Sequence, residues 1–137
     1  MWWMYALLSA LFAALTAILA KVGIKGVDSD LATAIRTVVI LILAWGFAFF
    51  RGGIKTMDTL TKHNLIFLVL SGIATGLSWI FYFKALQIGK VSQVAPVDKA
   101  SVAIAIILSI IFLGEPLTLK LAAGALCIIA GTIILIV

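Results

Sequence analysis

The stretch LATAIRTVVILILAWGFAFF, residues 31–50, sets the architecture of this chain. It carries a single charge, Arg36, and shows no alternation of apolar and polar positions. At about 1.5 Å of rise per residue, a helix of this length crosses a hydrocarbon core about 30 Å thick. A membrane-barrel strand would alternate lipid-facing apolar and inward polar residues, which this run does not do. A helix also satisfies its own backbone in lipid. Stops flank it on both sides: Asp28-Ser29-Asp30 offers helix-capping side chains, and Arg51-Gly52-Gly53 breaks helical continuity.

On either side of it, similar runs occupy about residues 2–20, 65–86, 93–113 and 119–137. Met1-Trp2-Trp3-Met4-Tyr5 lacks a basic n-region and leads into a run long enough to span, so it reads as a first helix with an interfacial aromatic belt. Lys21 closes that helix, and Gly23 and Gly26 break helical continuity before Asp28. The polar segment 51–64, with Lys55, Asp58, Lys62 and His63, has room for a short surface helix. Gly89 ends the third run, Ser92 is expected to cap the fourth, and Pro96, Asp98 and Lys99 fall in its early turns. Gly114-Glu115-Pro116-Leu117-Thr118 forms the last turn, with Thr118 as the expected cap of the fifth helix. The expected fold class is therefore all-α: a polytopic membrane protein of five transmembrane helices, one domain over residues 1–137.

Composition agrees. Hydrophobic residues make up 65% of the 137 and charged ones 11%, with a mean hydropathy of +1.32. Soluble domains carry roughly 45–50% apolar residues, so a soluble enzyme of this length could not hide such a surface. The net charge of +5 comes from basic residues scattered through loops and two helices. That pattern fits anionic lipid headgroups and not nucleic acid, which asks for a basic stripe. Cys127 is the sole cysteine and His63 is a lone loop histidine, so neither a disulfide nor a metal site is expected. No nucleotide loop, nucleophile elbow or catalytic carboxylate pair is present; no catalytic residue and no cofactor are expected.

Small residues at helical spacing, Ser9, Ala13 and Ala17, Gly72 and Gly76, and Gly124 and Gly131, mark faces expected to pack closely. Five spans put the termini on opposite sides of the membrane. The N-terminal side then holds Arg51, Lys55, Lys62 and Lys120, and the other side Lys21, Lys25, Lys84 and Lys90. Arg36 and Lys99 lean to the second side from within helices. Four basic residues against four in the loops give no decided orientation under the positive-inside rule. Two oppositely inserted copies, an antiparallel homodimer with a shared cavity, are one expectation; a single resolved orientation is the other.

Arg36 is the most informative residue, because an arginine within a span costs about 2.5–3.5 kcal/mol on insertion scales. Either its side chain snorkels to the headgroups, or it faces a wet interior beside Thr33 and Thr37 and offers its planar fork to a carboxylate or phosphate. Asp98-Lys99 lies on the same membrane side. A carboxylate shared by Lys99 and Arg36 would be a structural ion pair, and a buried Asp98 could take up and release a proton. In the third helix Ser71, Thr75, Ser78 and Tyr82 share one face, flanked by Trp79, Phe83 and Lys84. Such a face suits a solute path, although serine and threonine also bond back to helix carbonyls.

The run Leu11-Phe12-Ala13-Ala14-Leu15 leading to Lys21, the stretch Gln93-Val94-Ala95-Pro96, and Phe112-Leu113-Gly114-Glu115-Pro116-Leu117-Thr118 followed by Gly124 and Gly131 together resemble the EamA domain of the drug/metabolite transporter superfamily. The resemblance covers essentially the whole chain. Many members of that family carry two such domains in tandem, with inverted halves; this chain looks like the short form, half of an inverted-repeat architecture. The resemblance implies transport of a small metabolite, amino-acid-like or otherwise polar or amphipathic, by alternating access in the inner or plasma membrane, with a second copy or a partner chain. Small multidrug-resistance relatives use an acidic residue in helix one; this chain has none there, so that coupling mechanism does not carry over. In the family turn, Gly114, Glu115 and Pro116 are expected to hold the last two spans together. The combined expectation is a solute site of Arg36, Thr33, Thr37, Thr75, Ser78, Trp79 and Tyr82, with Asp98 and Lys99 balancing or coupling charge. A flippase for lipid-linked substrates and a non-transporting accessory subunit are the alternatives. The first requires a lateral opening between helices, the second a polar face of helix three that is packed shut.

Overall fold

The computed structural model describes residues 1–137 as helices α1 (Trp2–Gly23), α2 (Ser29–Phe50), α3 (Lys62–Ile88), α4 (Val91–Lys99), α5 (Ser101–Leu113) and α6 (Leu119–Ile136), with a 3-10 helix at Gly53–Thr59. Five segments are long and apolar enough to cross a membrane: α1, α2, α3, the α4–α5 span and α6. The chain is thus an all-helical, multi-pass membrane protein, as its sequence predicts.

The local chemistry of each boundary is visible. Asp28 caps α2, its carboxylate accepting from the N–H groups of Asp30 at 3.0 Å and Leu31 at 3.1 Å. Thr118 does the same for α6, accepting from Leu121 N–H at 3.2 Å. Gly114 ends α5 at φ 68°, a left-handed conformation that glycine enters without a Cβ penalty. Two expectations need correcting. Ser92 lies inside α4, which starts at Val91 with no side-chain cap. The fourth span is also not one helix, because it breaks at Ala100.

Pro96 lies inside α4 and, having no N–H, leaves the Ser92 carbonyl without its helical donor. The break itself comes four residues later, at Ala100. Downstream the chain tightens: the Ala100 N–H bonds Val97 O at 3.0 Å, one residue short of its α-helical acceptor, the Pro96 carbonyl. The single hydroxyl proton of Thr132 on α6 is shared between Ile128 O at 2.8 Å and that carbonyl at 3.3 Å. A side chain from a neighbouring helix thus serves a backbone acceptor that the break leaves short.

Contacts divide the chain into two compact units, residues 20–87 and residues 1–19 with 88–137. In the second of these, α4 and α5 pack on α6, and Ala103 and Thr132 are buried. In the 20–87 unit the buried residues Ala20, Ile24, Ser29, Thr33, Phe83 and Leu86 gather where α1 ends, α2 begins and α3 ends. Two side chains bind backbone there: Lys21 Nζ donates to Leu86 O, and Gln87 Nε2 donates to Val27 O at 2.7 Å. At the other end of α2 the 3-10 helix folds back against it.

Elsewhere the apolar side chains face outward, Ile42, Phe81 and Phe112 among them. Lipid is as apolar as leucine, so such exposure carries no penalty in a bilayer. A Cβ added at Gly72, Gly76, Gly124 or Gly131 would meet nothing within 4 Å. The close approach expected at these glycines is therefore not made within either unit. In the 20–87 unit the buried part of α3 is its C-terminal end, where the large side chains of Phe83 and Leu86 lie.

Candidate solute-binding site

Arg36 lies two turns into α2 and is half-buried. The guanidinium Cζ sits 4.1 Å from the centroid of the Phe83 ring on α3, a cation–π contact. Tyr82 meets the same ring in a T-shaped arrangement, centroids 5.4 Å apart. Its phenol lies within electrostatic reach of the guanidinium. One guanidinium nitrogen, Nη1, is buried and has no hydrogen-bond partner.

The hydroxyls around this cluster are already engaged. Thr33 donates to Ser29 O at 2.8 Å, Thr37 to Thr33 O at 2.8 Å, and Thr75 to Ser71 O at 2.9 Å. Each is the i−4 back-bond that threonine makes within a helix. Their protons go to the backbone, and none of these hydroxyls bonds Arg36 Nη1.

Helical geometry places the two faces of α3. At 100° per residue, Trp79, Phe83 and Leu86 form one stripe, and Ser71, Thr75, Ser78 and Tyr82 form another about a quarter-turn away. Arg36 seats on the first stripe. Ser71, Thr75 and Ser78 are exposed, and Tyr82 and Trp79 are half-buried. Phe83, which sequence reasoning placed only as a flank, thus holds the arginine. The signal for it was its spacing from Trp79 and Leu86 together with an arginine on the preceding span.

Asp98 and Lys99 pair with each other, Nζ to Oδ2 at 3.1 Å, with the Lys99 side chain 60% exposed and Asp98 32%. Neighbours in sequence do not share a helix face, so the contact depends on the long lysine side chain swinging round. In the family turn the backbone makes the closure, the Glu115 N–H reaching Ser109 O at 3.4 Å. Two surface hollows, one lined by His63 and Phe67 and the other by Trp45 and Met57, contain none of these residues.

Five membrane-crossing segments, with an arginine held inside one of them, define a polytopic helical membrane protein with a polar interior feature. The chain belongs to the EamA-like transporter family, which matches residues 1–137. It is similar to a Sinorhizobium sp protein named "Uncharacterized transporter in cobO 3'region", 46% identical over 136 residues, 99% of this chain and 96% of that protein. It is also similar to an uncharacterized protein of Methanocaldococcus jannaschii, 36% identical over 81 residues, 59% of each chain. No solved structure matches.

Proposed function

We propose that the chain carries a small metabolite, amino-acid-like or otherwise polar or amphipathic, across the inner or plasma membrane, working as a homodimer by alternating access. The observation that carries this reading is full-length membership of a transporter family, with a relative of almost the same length that is itself named a transporter. Inverted-repeat carriers build their solute path between two halves, and a five-span chain supplies one half. The exposed hydroxyl stripe of α3 would line that path, with Thr75, Ser78, Trp79 and Tyr82 meeting the solute beside Arg36, Thr33 and Thr37. Asp98 and Lys99 would balance or couple charge from the fourth span.

The test is reconstitution of the purified chain in liposomes, with uptake of pooled amino acids, organic acids and sugar phosphates measured against empty liposomes. Uptake of any pool above the empty control supports the carrier. No uptake from any pool, with scrambling of a lipid-linked sugar, would replace it with the flippase; no activity of either kind would leave an accessory subunit.

A further inference from the structure

We propose that the Arg36–Phe83 seat binds an oxyanion, and that the solute is a small organic monocarboxylate. This deepens the carrier reading and rests on it.

The guanidinium has donors only, so whatever completes it must accept. Within residues 20–87 no carboxylate is placed to do so. Asp28 is committed to two backbone N–H groups at the start of α2. Asp30 lies six residues from Arg36, about 240° round the helix and on another face. Asp58 belongs to the 3-10 helix beyond the opposite end of α2. The threonine hydroxyls nearby are neutral and bond their own helix, so within this unit the cation, with Nη1 buried and unpartnered, has no counter-charge.

Depth favours a solute over the headgroup layer. Phe83 stands five residues before the end of α3 at Ile88, about 7.5 Å inward along the helix. Between the seat and the end of α3, the Gln87–Val27 and Lys21–Leu86 bonds tie the helix ends together. Stacking on Phe83 also fixes the plane of the fork, and a fixed planar fork matches the two oxygens of a carboxylate. One guanidinium needs one negative charge, which selects a monoanion.

The experiment uses the full chain in detergent and in nanodiscs. Thermal stabilisation is measured with acetate, lactate and benzoate, each against its amide (acetamide, lactamide, benzamide), and with inorganic phosphate. Carboxylates are expected to stabilise the protein and the matched amides to leave it unchanged. Arg36→Gln should weaken carboxylate binding about ten- to hundredfold, the loss expected for a hydrogen bond to a charged group. Arg36→Lys, which keeps the charge without the fork, should retain part of it, and this variant carries the test if Arg36→Gln fails to fold. Equal response to acids and amides, undiminished carboxylate binding in Arg36→Gln, or stabilisation by inorganic phosphate as strong as by the carboxylates overturns the proposal. Stabilisation by phosphatidylglycerol over phosphatidylcholine nanodiscs, without response to free carboxylates, also overturns it and assigns the seat to a lipid phosphate. Liposome uptake of neutral or cationic solutes by Arg36→Gln at wild-type rate would leave the carrier standing while removing the oxyanion. No uptake by the wild type would remove the carrier itself.

Discussion

At the scale of single residues, the energetic problem is a guanidinium in a span, and Phe83 is part of the solution. Cation–π contacts are worth about 0.5–2 kcal/mol depending on desolvation. Phe83→Leu keeps an apolar side chain at a position only 2% exposed but removes the ring face. It is expected to destabilise the chain by about 1–2 kcal/mol, read as a lower melting temperature in detergent. Leu86→Met, a swap of similar volume at a fully buried position that keeps the backbone carbonyl bonded by Lys21, should cost less. Arg36 was legible from sequence because its insertion cost demands an explanation. Phe83 was legible only as a flank of the polar face, because an aromatic in an apolar run looks the same whether it meets lipid, core or cation, and only its spacing from Trp79 and Leu86 hinted at more. The hydroxyl residues were legible as a polar face, but a one-dimensional pattern does not reveal which way Thr33, Thr37 and Thr75 turn their protons. All three turn them to their own helix.

At the scale of elements, the boundaries were the readable part wherever a cap or a glycine enforced them. Asp28, Thr118 and Gly114 each stand where their chemistry predicted. The one-residue break at Ala100 within the fourth span was not legible, because Pro96 marks the Ser92 carbonyl as the acceptor that loses its donor and gives no signal four residues further on. The bond that Thr132 makes across to α4 is testable. Thr132→Val removes the hydroxyl that serves Pro96 O and is expected to cost about 0.6 kcal/mol, a typical interhelical hydrogen bond in membranes. Thr132→Ser, which keeps the hydroxyl, should cost less. Equal losses for the two, measured by denaturant titration in mixed micelles, would mean that the hydroxyl does not serve the Pro96 carbonyl. The glycines offer a second contrast. Gly114→Ala forces a Cβ into φ 68° and should cost about 1–2 kcal/mol. Gly124→Ala has open space around it and gains helix propensity, so it should raise stability by up to about 1 kcal/mol.

At the scale of the whole molecule, five successive spans alternate the chain from one side of the membrane to the other. Basic residues at and near the ends of the spans, which set orientation, divide as Arg51, Lys55, Lys62 and Lys120 against Lys21, Lys25, Lys84 and Lys90, with Arg36 and Lys99 deeper in their helices. Dual insertion of so balanced a chain would supply an inverted pair, and a single resolved orientation would not. Lys55→Gln with Lys62→Gln leaves two basic residues on the N-terminal side against four, and Lys25→Gln with Lys90→Gln leaves two against four on the other. Each double variant should fix one orientation, read by accessibility of a terminal tag in intact cells. If transport requires the inverted pair, each variant alone should lose most of its uptake in cells and the two co-expressed should recover it. Full uptake by one biased variant alone, with its tag reachable from a single side, would show that parallel copies suffice. Recovery only on mixing would instead make the even distribution of lysines part of the mechanism, because a lysine added to one side would then deplete the opposite half of the carrier.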